Sequence, residues 1–297
     1  MKRGALRWRL AALGLAALGG TCGASAADAP FLWQVHTAKA THYLLGSVHV
    51  QPQSDAALPP ALDYAYAHVR GLVFETDIDA LETPDTQAVI IERGQADAGG
   101  LQAEVGNDLY ARTRGKLQGT GLDPSFCDEW RAWMCAVTLE ALEWNREGFG
   151  SAYGIDKLLY ARAKTDARLI QWFEPPSQQL AMLYDMPAGM SRQFLSSAIE
   201  DDSADGESPA ALYDAWRRND IAAIEKLAAE MHNRYPAIYE RLLAARNRAW
   251  MPKLRQLLAA SDPQLIVAGA AHWPGPDGLL AQLRADGYSI TPVPAAP

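Results

Sequence analysis

The sequence predicts an α/β (α+β) fold, with a mixed central sheet built from N- and C-terminal strands and a large helical middle region. Three observations carry this. Short apolar runs at residues 31–35, 43–45 and 265–268 lie near the two ends of the 297-residue chain, and they have the length and the aromatic and branched content of strands. The long segment between them is dominated by helical periodicity. One run near each end also leads into the same phrase, Gly46-Ser47-Val48-His49 and Gly269-Ala270-Ala271-His272, so strands from both ends are expected to share a sheet.

In chain order, residues 31–35 and 43–45 read as a hairpin joined by a short polar connection around Thr37 to Thr41. Residues 58–70 read as a helix with Pro59 and Pro60 near its first turn, where a missing N–H costs nothing. Gly71-Leu72-Val73-Phe74 is a short buried strand ending at Glu75. Residues 83–148 are largely helical, with breaks at Gly99-Gly100 and from Gly119 to Pro124. A helix at 155–164 precedes a strand at 168–173, which ends at Glu174. Helices follow at 177–184 and 190–199, then an acidic small-residue loop at 201–208. Three more helices are expected near 209–218, 221–231 and 238–260. A strand at 265–268, a helix at 278–286 and a strand at 288–293 close the chain.

Composition narrows the function. The chain is 49% hydrophobic, ample for a large core, and carries a formal net charge of -8. Nucleic-acid binders show a clustered basic surface, whereas the basic residues here are scattered except at the extreme N-terminus. There Lys2, Arg3, Arg7 and Arg9 precede an apolar stretch at 10–20, and Ala24-Ser25-Ala26 follows. That is the pattern of a cleaved secretory signal. Residues 1–26 are therefore read as a signal peptide and 27–297 as one exported, periplasmic or secreted domain with no membrane span. Thr21 before Cys22 fits lipoprotein cleavage poorly. Two cysteines remain, Cys127 and Cys135, and the residues between them read as helix. Eight helical residues separate Cα atoms by about 12 Å, too far for a disulfide. The two are expected as buried apolar cysteines; pairing would require the helix to break.

Four apolar runs end in His49, Glu75, Glu174 and His272. Open α/β sheets bind ligands beyond the carboxyl ends of their strands, so strands of one polarity would bring these four side chains to one rim. Two histidines and a carboxylate can hold a divalent metal with open positions. A glycine three residues before each histidine allows a tight turn and a close backbone approach. Each residue also has a plainer role. A histidine after a strand can simply cap a turn, Glu174 can serve the helix start at Pro175-Pro176, Asp156 can cap its own helix, and Arg246 can be a helix-surface residue paired with Glu240 or a carbonyl. His36, His42, His68 and His232 read as surface or turn residues. Trp130, Trp133 and Trp144, at helical spacings, read as core.

Beyond these patterns, a set of short motifs in fixed order resembles the TraB/GumN family, which is related to the TIKI metalloproteases and more distantly to erythromycin-esterase-like proteins. The matching residues are Trp33, Tyr43-Leu44-Leu45-Gly46-Ser47-Val48-His49-Val50, Phe74-Glu75, Gly154-Ile155-Asp156 and Phe173-Glu174 with Gln178. They continue through Arg246-Asn247 with Trp250, Gly269-Ala270-Ala271-His272, Pro274-Gly275, Gly278-Leu279-Leu280 and Gly287-Tyr288. The resemblance spans nearly the whole chain after residue 26. It implies an active-site set of His49, His272 and Glu75, with Arg246 at the same pocket and Glu174, Asp156, Gln178 and Asn247 as further pocket candidates. It also implies a metal-dependent peptidase using manganese- or cobalt-type ions. Trp273 departs from the smaller aliphatic residue common after the second histidine and is expected to narrow the pocket mouth.

The leading expectation is an exported metallopeptidase-like hydrolase. His49, His272 and Glu75 would hold a divalent ion (manganese, cobalt or zinc), Glu75 would be ligand or general base, and Arg246 would face the developing oxyanion. A metal-free hydrolase with a histidine general base oriented by Glu75 is the alternative. A non-catalytic periplasmic binding or assembly protein is a third. The chain has no His-Glu-x-x-His motif, no Gly-x-Ser-x-Gly elbow and no phosphate loop, which argues against common zincins, serine hydrolases and nucleotide enzymes.

Overall fold

A computed structural model describes residues 31–55, 57–200 and 209–294. The expected signal peptide with Cys22, and the acidic loop at 201–208, lie outside the described residues. Among the described residues there are eight strands: β1 (Leu32–His36), β2 (Thr41–Ser47), β3 (Gln51–Pro52), β4 (Gly71–Phe74), β5 (Phe149–Gly150), β6 (Leu169–Trp172), β7 (Gln264–Gly269) and β8 (Ile290–Pro292). Six of them form one sheet in the order β6-β4-β7-β2-β1-β8, and β3 pairs with β5 in a separate ribbon. The strands β6, β4, β7 and β2 run parallel, while β1 is antiparallel to both β2 and β8. The sheet is thus mixed and unites both ends of the chain, as the sequence predicts.

The patterning explains the order. Every residue of β4 and β7, and all but the first of β2, is buried. A strand covered on both faces must be apolar throughout, which is why these runs show no alternation. The edge strand β6 is different, with Leu169 largely exposed. Phe31, Trp33, Leu44, Ile266 and Trp273 pack in the sheet core.

The helical middle builds a second core of Leu101, Leu117, Trp133, Leu139, Phe194 and Leu195. Here the structure corrects two expectations. Cys127 and Cys135 form a disulfide, with Cα atoms 5.6 Å apart. The residues between them are not one helix. The chain turns through 124–129, where Asp123 accepts hydrogen bonds from the Ser125 N–H and hydroxyl, and the next helix, Ala132–Arg146, begins only four residues after Asp128. Of the tryptophans read as core, two are core residues, in different parts of the molecule. Trp130 precedes that helix, Trp133 belongs to the helical core, and Trp144 packs against Phe149 at the sheet core.

The expected long helix at 238–260 is also interrupted. A four-residue helix, Pro236–Tyr239, leads into a π-helical turn, Glu240–Ala244, and then into the helix Ala245–Leu258. Such widened turns concentrate at functional sites, and no periodicity in the sequence marks this one. Among the described residues, no helix is long and apolar enough to cross a membrane.

Closing a loop of this size by a disulfide stabilises a fold by roughly 2–3 kcal/mol. Peptide mapping without reductant is expected to recover residues 127 and 135 linked. Replacing both by serine is expected to lower unfolding stability by about that amount in a denaturant titration. An unlinked pair, or a double variant as stable as the parent, would contradict the assignment.

Candidate functional site

The four parallel strands lie side by side, so their carboxyl ends form one rim. Read along the order β6, β4, β7, β2, that rim carries Glu174, Glu75, His272 and His49. The backbone continues this alignment past the strands, since Glu174 N–H donates to the Glu75 carbonyl at 3.0 Å. All four residues predicted from the sequence to converge do so.

Two carboxylates side by side in a buried place need a cation. Glu174 is 2% exposed. Arg246 supplies the charge from the first turn after the π-helical segment. Its Nη2 donates to Glu75 Oε2 at 2.5 Å and to Glu174 Oε1 at 2.6 Å, and its Nε donates to Glu174 Oε1 at 3.0 Å. Its Nη1 donates to the Leu242 carbonyl within the widened turn at 3.2 Å. Arg246 is therefore not the exposed helix residue of the plainer reading; the partner considered for it, Glu240, is taken by Arg248. Burial opposes the charge on Glu75, but Arg246, then His272 and His49, outweigh it and hold the carboxyl well below the usual carboxylate range. Glu75 also accepts from the Gly269 N–H at 2.7 Å and from Gln179 at 3.2 Å.

His272 is fixed by Asn247, which is 2% exposed. Asn247 Nδ2 donates to the carbonyls of His272 and Asp277, so its Oδ1 is left to accept from His272 Nδ1, at 2.6 Å. This network assigns the proton to Nδ1. The lone pair on Nε2 then faces Arg246 Nη1 at 3.0 Å and Glu75 Oε1 at 3.8 Å. Burial pushes the His272 imidazole down to about 3, partly opposed by Glu75. Trp250 covers the ring, with centroids 4.5 Å apart, and donates to Glu174 at 3.2 Å.

His49 sits at the open side, with 62% of its side chain exposed. Its Nδ1 contacts Asp156 Oδ2 at 2.7 Å, and the Asp156 carboxylate raises its pKa above the ordinary histidine value. Asp156 opens the helix Ile155–Thr165, whose Ile155 N–H donates to the Val48 carbonyl at 3.0 Å. Gly154 permits that docking, because a Cβ there would lie 2.4 Å from the His49 carbonyl oxygen.

Gly269 shows how close the elements come. A Cβ on it would lie 3.2 Å from Glu75 Oε1, 3.3 Å from His49 Nε2 and 3.7 Å from His272 Cδ2. Its backbone is ordinary extended chain, with φ -52° and ψ 142°, so the glycine is required for space and not for an unusual conformation. Among the described residues, no group of three acidic, histidine or cysteine side chains is placed to hold a metal ion. The donor types, two imidazoles and a carboxylate, are those found in open metal sites, although Arg246 occupies His272 Nε2 here. Both imidazoles are anchored through Nδ1, as in metal sites whose outer partners fix the ligand tautomer, and both border the volume reached by Glu75.

Three expectations need correction. Gln178 does not reach the site. It is exposed and lines a separate open cleft of about 480 Å³ with Met182, Met190 and Arg241. Its neighbour Gln179 takes the place on Glu75, so the residue the resemblance implied is replaced by the next one along the helix. Trp273 does not narrow the mouth. It is fully buried behind the strands and donates to the Leu45 and Ala268 carbonyls at 3.0 and 3.1 Å. His42 is no surface residue: it is buried in β2 and accepts from the Gln264 N–H at 3.3 Å.

Comparison with known proteins places the chain in a family. A family model described as the TraB/PrgY/gumN family matches residues 31–292, and the chain belongs to that family. It is 24% identical over 248 residues to the uncharacterized protein YbaP of Escherichia coli (strain K12), a match covering 82% of this chain and 87% of that protein. The protein of the same name from Shigella flexneri matches with the same identity and coverage. No solved structure matches this chain.

Two outcomes are expected. In an NMR titration of the ring nitrogens, His272 should stay neutral from pH 8 to below pH 5 and His49 should titrate above the ordinary value of about 6.5. Because the His272 pKa is lower in the folded chain, the unfolded chain binds the extra proton between those values. Stability is therefore expected to fall as pH drops below about 6.5, by at most about 1.4 kcal/mol per pH unit from this group. Glu75, depressed in the fold, adds to the loss at acid pH; His49, raised, acts oppositely and loses its contribution as pH rises through its folded value. A His272 midpoint near 6.5 would contradict the assignment. Separately, Arg246→Met leaves two carboxylates without their cation and is expected to cost about 3–5 kcal/mol in a denaturant titration.

Proposed function

We propose that this rim is the active centre of a metal-dependent hydrolase, a metallopeptidase-like enzyme that acts outside the cytoplasm once residues 1–26 are removed. One observation carries the reading. Asp156 and Asn247 tie down the Nδ1 atoms of His49 and His272, and the opposite side of each ring borders the volume reached by the Glu75 carboxylate. His49 Nε2, His272 Nε2 and Glu75 would hold a divalent ion such as manganese, cobalt or zinc. When bound, such an ion lowers the pKa of a water and polarises a scissile carbonyl.

The chain's own residues supply the rest. Arg246 keeps Glu75 ionised, so that it can serve as an anionic ligand and accept a hydrogen bond from water. Facing a developing oxyanion would require Arg246 Nη1 to leave His272 Nε2, since all five N–H donors of the guanidinium are engaged within the site. Trp250 shields the His272 side from solvent, while His49 lies at the open side through which a peptide or small-molecule substrate would enter.

A second reading, hydrolysis without a metal, is favoured by a separate observation. Arg246 already donates to His272 Nε2, and the two histidines are shifted in opposite directions. Sites that push two titratable groups apart in this way assign an acid and a base. There His49 would protonate the leaving group, and Glu75 or His272 would take the proton from water.

The test uses chain lacking residues 1–26 and carrying no histidine tag, loaded with manganese, cobalt or zinc and assayed on a fluorogenic peptide library. Near-stoichiometric metal is expected, lost in the double variant His49→Ala, His272→Ala, with hydrolysis falling at least ~10³-fold in that variant and on chelation. Activity that survives chelation but not His49→Ala would select the metal-free reading. Equal activity in wild type and double variant would sink both.

A further inference from the structure

Ser47 closes β2 and pairs directly with Gly269 of β7. Residues paired across neighbouring strands point to the same face. The Cβ direction of Gly269 is the point surrounded by Glu75, His49 and His272, so Ser47 projects onto that face from about 4.8 Å away, one strand spacing. Its side chain is buried, 2% exposed, and its hydroxyl has no hydrogen-bond partner. Buried hydroxyls are nearly always bonded, because an unmet one carries its full desolvation cost. Two neighbours share the condition: Thr76 Oγ1, directly after Glu75, and Asp156 Oδ1, the free oxygen of the carboxylate that holds His49. The unmet Ser47 hydroxyl, on the face that holds the titratable cluster, points to a polar occupant.

We propose that Ser47 is a further catalytic residue, whose Oγ holds the water that attacks the substrate. The proposal rests on the hydrolytic reading above. The water donates one hydrogen to Ser47 Oγ and the other to Glu75, which leaves an oxygen lone pair free to face the scissile carbonyl. A hydroxyl suits this place because it can accept without adding another negative charge to the cluster.

Ser47→Ala separates this role from a structural one. Removing an unmet buried hydroxyl should leave the melting temperature unchanged or raise it. Under the proposal, kcat nevertheless falls ~10-fold or more, with KM near that of wild type. Unchanged kcat would overturn the proposal. Atomic-resolution crystal structures of wild type and Ser47→Ala give a second readout that needs no turnover. The expected result is an ordered water within hydrogen-bond reach of both Ser47 Oγ and the Glu75 carboxylate, absent in the variant. A Ser47 hydroxyl turned onto a protein acceptor, with no solvent oxygen beside it, would overturn the proposal. If wild type hydrolyses nothing beyond the His49→Ala, His272→Ala variant, the hydrolytic reading fails, and the crystal structures still decide whether Ser47 holds an oxygen.

Discussion

Two glutamates stand side by side at the ends of adjacent parallel strands, and one arginine lies forked between them. The architecture of the site depends on this arrangement. Glu75 and Glu174 cannot both remain ionised in a buried setting unless a cation meets them. Arg246 meets both, and it reaches them from a helix that a π-helical turn has displaced. The same guanidinium lies against Trp250, 4.5 Å from the ring centroid, and Trp250 covers His272. Charge, packing and the orientation of the imidazole are therefore set by one cluster.

That cluster is left short of positive charge. Glu75, Glu174 and Asp156 contribute three carboxylates, and Arg246 answers one. The remainder must be met by a protonated His49, by a bound cation or by solvent. This explains why His49, alone of the two histidines, is raised in pKa, and why it faces the opening. A divalent ion held between His49, His272 and Glu75 would supply the missing charge in one step, and its arrival would displace the proton from His49. Metal binding at such a site should be weaker at lower pH.

Much of this was legible in the chain. Continuous apolar runs without alternation mark strands covered on both faces, and the side chains that follow them fall at the rim of a parallel sheet. His49, Glu75, Glu174 and His272 were found in that way. What the sequence concealed depends on long-range pairing or on helical phase. The choice of Gln179 over Gln178 is a rotation of about 100° on a helix. The π-helical turn before Arg246 leaves no trace in periodicity. Cys127 and Cys135 look too distant for a bond until the turns at 124–129 are known. Ser47 stands out only once β2 is registered against β7, because its importance lies in facing Gly269.

The most direct test of the central claim is a crystal structure of the chain soaked in manganese, with anomalous diffraction recorded at the manganese edge. One anomalous peak bonded to His49 Nε2, His272 Nε2 and Glu75 is the expected result, with Arg246 still joined to Glu174. A site with no peak, with Arg246 retained on His272 Nε2, would contradict the metal centre and leave the two histidines as an acid and a base.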